Sequence, residues 1–436
     1  KQCINFRYKH YQGRNIDICH PLNILGAYYL EQNQITRGID SLQSSLICAV
    51  KDFNDLDYYN NPSKDQIFNN RNLINTLAWK AYGMYLLYLQ SHDLKDLKTA
   101  HKTYKLYFHS TKNIRKYFDE TESIFRGEEI YYVFNQAIDA AYLLYLATND
   151  QKIIEDIFSF IEGKKAFTLL NSLNVLEQKK LLKIPKKLLN TELDLKYQMG
   201  SVAEQINIQE NSPDRDNSIL IDLDKRAFEL STSLDSIQNI YKNEYSGFYQ
   251  LKYGFKELTL EEIQNKIPEG TAFINYSMSD TLLNIMCISK GATELRNLKI
   301  DSAFYGQIQT MVKLLKKVDT DNSYNEFMEF VGSSRALYKK LIQPIEDQII
   351  NKELVIIPDG ILNYLSFDAL MTHDVILDRP DYRLLPYMIK QNKSNIANSM
   401  QVYFNMKIRS RDLKEKVFAF APSYSDPLKE DSLPSE

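Results

Sequence analysis

Glycine and proline are both scarce in this chain of 436 residues, which contains 14 and 12 of them. Because turns draw heavily on these two residue types, their scarcity predicts few turns and long elements, which favours helices. Charge of one sign is also lacking, since 53 lysine and arginine residues face 56 aspartate and glutamate residues. Proteins that bind duplex nucleic acid carry a basic excess or a basic stripe, so we expect no direct nucleic-acid partner.

Long hydrophobic runs are missing as well. The longest apolar stretches, such as Ala140–Ala147, are far shorter than the roughly 20 residues that a membrane-spanning helix needs. We therefore expect no membrane partner.

Cysteine is rare and scattered. The four cysteines, Cys3, Cys19, Cys48 and Cys287, include no Cys-x-x-Cys pair. This usage favours reduced thiols over a disulfide framework and predicts a cytoplasmic protein.

The two ends of the sequence are unusual. It begins at Lys1 rather than at Met, and it ends in the polar run Asp426–Glu436, which is typical of a site of proteolytic nicking. We expect a piece of a longer protein. Both a processed product with a second chain and a segment of one uncut chain are open at this point.

Residues 1–185 show the 3.6-residue periodicity of amphipathic helices, arranged as three hairpins. Their polar turns lie near Gln32–Thr36, at His92-Asp93 and at Thr148–Asp150. Stacked helix pairs of this kind are typical of a tetratricopeptide-type (TPR-like) array.

The match to that repeat is imperfect. Gly26 and Gly38 stand where small residues belong, but the repeat register puts the bulky Tyr88 at a small position. The hairpins are also spaced more widely than the usual period of about 34 residues. We interpret the segment as a degenerate or loop-expanded array, and an irregular helical bundle is the alternative.

Residues 186–253 remain helical but are more polar. A break at Asn211–Asp214 predicts an antiparallel pair of helices. The basic run Lys179–Lys187 comes before it, and because Glu192 and Asp194 follow closely, we interpret that run as a solvated helix face.

The pattern changes after residue 253. Thr259–Glu262 is a capping box that starts a helix. We predict strands at 272–278, 282–289, 293–298, 354–357 and 417–421. The first helix between the third and fourth strands carries Ile308, Val312 and Leu315 on its apolar face. Helices that alternate with buried strands indicate an α/β domain.

Residues that carry chemistry are hard to find. The sequence contains no phosphate-binding GxxxxGK[ST] loop, no GxGxxG and no HExxH. His101 and His109 share a helix face, and we interpret both as surface histidines. Cys287 lies in the middle of an apolar strand and Cys48 on an apolar helix face, so we interpret both as packed thiols. We therefore assign no catalytic, cofactor-binding or metal-binding residue, and we expect no cofactor.

One segment carries a recognisable motif. In Leu354–Leu370 an apolar strand is followed by Pro-Asp-Gly, a leucine and the stretch Leu-Ser-Phe-Asp-Ala-Leu. This order resembles the signature of CHAT domains, which are caspase-like domains found mostly in bacteria behind TPR arrays. The matching residues are Pro358, Asp359, Gly360, Leu362, Leu365, Phe367, Ala369 and Leu370. Ser366 replaces the usual proline, which puts the turn into the next element in doubt.

Other segments resemble the same family in the same order. Phe158–Ala166 is similar to the last helix before the CHAT domain and Glu244–Tyr253 to the lead-in. Tyr382–Lys390 and Val417–Pro422 are similar to later strands and turns, whereas Asn395–Met400 departs from the serine-rich run of the family.

The resemblance implies a caspase-like cysteine endopeptidase, in which a Cys thiolate attacks a peptide carbonyl and a His manages the proton. The family carries this pair in a His-Gly and a Ser-Ala-Cys strand end, both after the equivalent of Val417–Pro422. No histidine here precedes a glycine and no cysteine follows an alanine. We therefore carry over no catalytic residue and expect the dyad beyond residue 436.

The resemblance also implies partners. A protein substrate such as a pore-forming gasdermin-like protein is expected, in bacterial defence or programmed death. The helical array is expected to bind a regulatory protein or nucleoprotein, and a second chain or a C-terminal segment to complete the protease fold. The alternative is a non-catalytic TPR scaffold fused to a pseudo-protease domain.

The matched motif itself predicts structure. Pro358 ends its strand because proline cannot donate to the ladder, and Asp359-Gly360 is a turn signal. That Asp359 orients a substrate or a loop is the alternative. The sequence thus predicts an α+α/β fold: a TPR-like array over 1–185, a helical pair or linker over 186–253, and the first part of a caspase-like α/β domain over 254–436.

Overall fold

The computed structural model describes residues 18–50, 53–66, 71–114, 127–173, 184–210, 216–246, 248–249, 258–316, 324–375 and 379–407. Helices fill the first part of the chain, and a small mixed sheet with further helices follows. The coarse α+α/β prediction is therefore confirmed. The helices of the first part are α1 (Cys19–Glu31), α2 (Ile35–Ala49), α3 (Arg71–Ser91), α4 (Leu94–Ile114), α5 (Gly127–Thr148), α6 (Gln151–Leu173), α7 (Lys186–Glu210) and α8 (Asn217–Glu244).

The turns of the three hairpins share one backbone conformation. Asn33 between α1 and α2, His92 between α3 and α4, and Asn149 between α5 and α6 have φ angles of 56°, 55° and 52°. A single residue in the left-handed region ends a helix and reverses the chain within a few residues, and asparagine tolerates it better than most. The predicted turns are confirmed.

The first hairpin packs through two glycines. A Cβ atom on Gly26 would lie 2.6 Å from Cγ of Leu42 and 3.2 Å from the carbonyl oxygen of Gly38. A Cβ atom on Gly38 would lie 2.7 Å from Cδ2 of Leu30. The two helices approach this closely because neither position carries a side chain.

The pair of α7 and α8 is antiparallel, as predicted. Met199 of α7 shares an apolar cluster with Leu230 and Leu234 of α8. The Tyr241 hydroxyl of α8 donates a hydrogen bond to Oε2 of Glu192 at 2.9 Å. Low residue numbers on α7 therefore lie beside high numbers on α8.

The second part of the chain begins at the predicted capping box. The Thr259 hydroxyl accepts from the N–H of Glu262 at 3.1 Å, and the Glu262 carboxylate accepts from the N–H of Thr259 at 3.0 Å. The elements that follow are α9 (Leu260–Lys266), β1 (Thr271–Met278), β2 (Leu282–Ser289), β3 (Ala292–Lys299), α10 (Ser302–Lys316), α11 (Tyr324–Leu341), α12 (Glu346–Ile349), β4 (Glu353–Ile357), β5 (Ser394–Ile396) and α13 (Met400–Lys407).

The five strands form one sheet in the order β3-β2-β1-β4-β5. Strands β1, β2 and β3 are joined by tight turns and are antiparallel to one another. The chain then passes through α10 and α11 to reach β4, which is parallel to β1. Asn275 of β1 pairs with Ile357, the last residue of β4, and β1 continues beyond this pair to Met278. The first four predicted strands are confirmed, and the one predicted at 417–421 lies outside the described residues.

The sheet separates two apolar layers. Ile274 and Tyr276 of β1 face α10 and α11. Phe273 faces the other way, and its ring centroid lies 5.2 Å from that of Phe404 in α13. The same cluster includes Ile161 of α6. The helical array therefore forms part of the layer that covers this second face.

One residue of the predicted apolar face of α10 is wrong. Ile308 is buried and Val312 packs against the same cluster, but Leu315, one position before the end of the described helix, is 46% exposed. The segment Tyr382–Lys390, which resembles strands and turns of the family, contains two short 3-10 turns and one antiparallel bridge between Met371 and Tyr387.

The basic run Lys179–Lys187 was predicted to form a solvated helix face. Lys186 and Lys187 are exposed, and the preceding part of that basic run, 179–183, lies outside the described residues. Each described helix is either too short or too polar along its length to cross a bilayer.

Replacing Gly26 with alanine is expected to lower the free energy of unfolding by roughly 1–3 kcal/mol, because the added Cβ overpacks against Leu42. Denaturant titration followed by circular dichroism measures the change. Gly332→Ala in α11 is the matched control, because nothing lies within 4 Å of its Cβ position and alanine has the better helix propensity by about 1 kcal/mol. Equal destabilisation of both variants would contradict the packing argument.

Candidate functional site

The motif after β4 lies where the helical array meets the sheet. β4 ends at Ile357 and Pro358 follows. Gly360 then takes a φ angle of 54° and begins a 3-10 turn over Gly360–Tyr364. Asp359 is thereby held at the carboxyl edge of the sheet, beside the end of β1. The predicted strand end and turn are both confirmed.

A buried ion pair joins α6 to this edge. Nζ of Lys164 lies 2.8 Å from Oδ2 of Asp359, and the two side chains are 1% and 9% exposed. The same nitrogen donates to the carbonyl oxygen of Met278 at 2.7 Å and to Oγ of Ser277 at 3.3 Å. Oδ2 of Asp359 also accepts the backbone N–H of Met278 at 2.7 Å. One lysine therefore ties α6 to the end of β1 and to the turn after β4.

The neighbouring lysine binds the backbone of the same turn. Nζ of Lys165 donates to the carbonyl oxygen of Pro358 at 2.8 Å and lies 3.4 Å from that of Ile357. Ile357 is the last paired residue of β4 and Pro358 follows it. Lys165 therefore binds the backbone at the point where β4 ends.

Glu162 lies two residues before Lys164 on α6, and it extends the contact to α13. Its Oε1 accepts from Nδ2 of Asn275 at 2.7 Å, in the middle of β1. Its Oε2 accepts the backbone N–H of Gln401 at 3.0 Å, at the start of α13. An anion at a helix N-terminus binds N–H groups that have no partner within the helix. Glu162 thus fixes α13 against the sheet.

Tyr131 of α5 completes the surroundings of Asp359. Its hydroxyl donates to Oδ1 of Asp359 at 2.7 Å. Nζ of Lys164 lies 4.1 Å from the centroid of its ring, which is cation–π distance. We call Tyr131, Glu162, Lys164, Lys165 and Asp359 the clamp.

The charges of the clamp depend on one another. Burial favours the neutral form of Asp359, but the positive charges of Lys164 and Lys165 outweigh it and lower the pKa of this carboxyl below its ordinary value. Burial lowers the pKa of Lys165 to about 8, although Asp359 and Glu162 oppose the shift. Burial and the carboxylate of Asp359 raise the pKa of the Tyr131 hydroxyl. At neutral pH Asp359 is therefore a carboxylate, and the Tyr131 hydroxyl keeps its proton and donates it to the hydrogen bond.

Asp139 of α5 lies near this arrangement. Its Oδ1 is buried without a hydrogen-bond partner. Burial raises its pKa to about 6, although a hydrogen bond with Asn284 and the charge of Lys164 oppose the shift. Asp139 therefore takes up a proton under mildly acidic conditions, within the field of Lys164.

The arrangement is suited to holding two structural units together. Glu162, Lys164, Lys165 and Asp359 are buried and Tyr131 is half-buried. The Asp359 carboxylate accepts the N–H of Met278 and pairs with Lys164, so it organises the end of β1 and the turn after β4.

The sequence-predicted packed thiols are confirmed. Cys287 in β2 is 2% exposed and packs with the layer of α10 and α11. Burial raises the pKa of its thiol to about 12. Cys19 and Cys48 are buried in the helical array. Cys3 lies outside the described residues.

The surface interpretation of His101 is wrong. His101 is buried, and its Nε2 lies 2.8 Å from Oδ2 of Asp156 on α6. His109 lies two turns further along α4 and lines a cavity beside α6. Among the residues that the structure describes, no three His, Cys, Asp or Glu side chains come close enough to hold a metal ion.

Sequence reasoning missed the clamp, although a signal was present. Glu162, Lys164 and Lys165 interrupt an otherwise apolar part of α6, and a charge on a buried helix face must find a partner. Asp359 directly follows a strand that was predicted to be covered on both faces. The sequence therefore indicated that these positions need partners, but not that they meet one another.

Comparison with known proteins gives no relative: no family model matches the chain, and no curated protein matches it significantly.

Replacing Lys164 with methionine is expected to lower the free energy of unfolding by roughly 3–5 kcal/mol, because Asp359 is left buried without its cation. Adding Asp359→Asn is expected to recover part of the loss, since the uncompensated charge is then removed. Denaturant titration measures both variants. Lys290→Met, which removes the exposed pair with Glu269, is the control and is expected to leave the midpoint unchanged. A midpoint for Lys164→Met equal to that of the control would rule out a buried pair.

Alkylation of Cys287 is expected to be very slow in the folded protein. The thiolate is the reacting form, and a pKa of about 12 leaves roughly one molecule in ten thousand ionised at pH 8. Iodoacetamide followed by peptide mass spectrometry is expected to show modification about a thousand times slower than in guanidinium, where the thiol ionises near pH 8.5. Stoichiometric labelling of native Cys287 at low reagent concentration would show that its thiol is activated.

Proposed function

We propose that this chain comprises the helical array and the first part of the caspase-like domain of a TPR-CHAT cysteine endopeptidase. Its substrate is a protein, and its catalytic His and Cys lie outside residues 1–436. The array is the module that binds a regulator. The observation that carries the proposal is the clamp, because it joins the two segments that resemble this family, Phe158–Ala166 and Leu354–Leu370.

The sheet supports the proposal through its architecture. β1, β4 and β5 are parallel, and helices cover both faces. In open sheets of this kind, ligands and catalytic groups gather outside the carboxyl ends of the parallel strands. The Pro358-Asp359 turn lies at that edge, so a protease site completed by further chain would be built next to the clamp.

The clamp supports a regulatory role for the array. Lys164 and Lys165 lie on α6, but the groups that neutralise them lie at the ends of β1 and β4. Buried charges are costly to leave unpaired. A partner that displaces α6 must therefore also move the strand ends or break the ion pair. Binding of a partner to the array is thus coupled to the conformation of the strand ends.

A non-catalytic scaffold is the second candidate, and the buried thiols favour it. The cysteines in the described part of the chain are packed, and Cys287 is held in its neutral form. If the whole protein supplies no other nucleophile, the array and the sheet act only in binding.

The complete reading frame decides between the two. We expect it to encode a His-Gly and a Ser-Ala-Cys sequence after residue 436. The purified whole protein is then expected to react with a peptidyl acyloxymethyl ketone at that cysteine alone, and a Cys→Ala variant to lose this labelling. A complete reading frame without such a pair would overturn the endopeptidase and leave the scaffold.

Intact mass distinguishes the two forms of the mature protein. A species near 50.9 kDa that co-purifies with a second chain indicates processing. A single larger mass indicates an uncut chain.

A further inference from the structure

A cavity of about 240 Å³ lies between α4 and α6. On α6 it is lined by Asp156, Ser159, Phe160, Gly163 and Ala166. At 100° per residue these positions share one side of the helix, Lys165 of the clamp lies on the opposite side, and Glu162 and Lys164 lie on the two flanks. The cavity and the clamp thus use the same two turns of α6.

The floor of the cavity is aromatic. The rings of Phe108 and Phe134 are stacked with centroids 4.4 Å apart, and Phe160 lies 4.9 Å from Phe108. Gly163 keeps the space open, because a Cβ atom there would lie 3.0 Å from the ring of Phe134. The floor suits an apolar side chain.

The rim of the cavity carries two lysines. Lys64 and Lys105 line it together with the imidazole of His109. The one carboxylate on the lining, Asp156, is matched by Nζ of Lys105 at 2.8 Å and by Nε2 of His101 at 2.8 Å. The negative charge of the lining is therefore already compensated from within the protein.

A row of lysines leads along α4 to this rim. Lys98, Lys102 and Lys105 follow one another at helical spacing and are exposed. The chain as a whole has a net charge of −3, so this positive surface is a local feature. It is accompanied by no exposed aromatic side chain on the same face of α4 between Lys98 and Lys105.

We propose that the cavity and the lysine row bind an acidic segment of a partner protein. One apolar side chain of the segment enters the cavity and packs on Phe108, and its carboxylates lie along Lys98 and Lys102, with Lys64 at the rim. The volume holds a single side chain, and the charge selects an acidic peptide. Single-stranded nucleic acid binds through bases stacked on exposed rings, which this surface does not offer.

That the acidic segment belongs to the regulatory protein rests on the proposed function. The side chain in the cavity contacts α6 at Ser159 and Gly163. Gly163 is the residue between Glu162 and Lys164. Binding therefore acts on the helix that carries the clamp. The binding itself is measurable without any proteolysis.

The experiment uses random 12-residue peptides displayed on phage and selected on the purified chain. We expect enrichment of sequences in which one leucine, methionine or phenylalanine is flanked by aspartate and glutamate. Affinities of the enriched peptides are then measured by fluorescence polarisation, and they are expected to fall with rising salt because exposed charges are screened.

Two pairs of variants locate the site. Ser159→Trp fills the cavity from an exposed position and is expected to weaken binding about tenfold or more, whereas Gln151→Trp, also exposed on α6, is expected to change nothing. Lys102→Glu reverses one charge of the row and is expected to weaken binding several-fold and reduce its salt dependence. Lys242→Glu on the exposed surface of α8 is its control. Melting curves verify that all four variants fold.

Three results would overturn the proposal. The first is that the selection yields neutral or basic sequences. The second is that the enriched peptides bind Ser159→Trp as well as they bind the original chain. The third is that a 20-residue oligothymidylate binds in their place and is lost in Lys102→Glu. If acidic peptides bind as expected but the complete reading frame carries no His and Cys pair, the inference holds and the endopeptidase fails.

Discussion

A charged lysine is stable in a protein interior when fixed partners compensate its charge, and Lys164 imposes this requirement here. Its partners are a carboxylate after β4, a carbonyl at the end of β1 and the ring of a tyrosine on α5. Each belongs to a different part of the chain. Two helices of the array and two strands of the sheet must therefore take up one relative arrangement before the charge is compensated, and the cost of failing to do so is several kcal/mol.

The array is consequently a layer of the second half of the molecule as well as a stack of its own hairpins. Phe273 and Ile161 lie in one apolar cluster, and Glu162 reaches both Asn275 and the start of α13. Apolar contacts account for the surface buried between the array and the sheet. The polar contacts determine how the two are aligned, because hydrogen bonds depend on direction and hydrophobic burial does not.

The features that the sequence predicted depend on residues close together in the chain. Polar residues at Asn33 and Asn149 end helices, Thr259 and Glu262 cap one, and Pro358 ends a strand. The contacts that it missed join distant residues. Lys164 and Asp359 are 195 positions apart, and His101 meets Asp156 across 55. A pattern in one sequence shows that a charge lies on a buried face, but it carries no information on which opposite charge will meet it.

The contacts of Lys165 have a consequence for how such proteins diversify. This lysine binds the carbonyl oxygens of Ile357 and Pro358, so its contacts do not depend on which side chains these two positions carry. Lys164 and Asp359 have no such freedom, and each limits what evolution can place at the other. A helical array exchanged by recombination for an unrelated one would bring a foreign α6 against this edge and leave an unpaired charge. The two halves are therefore inherited together, and the boundary between them is a poor site for domain shuffling.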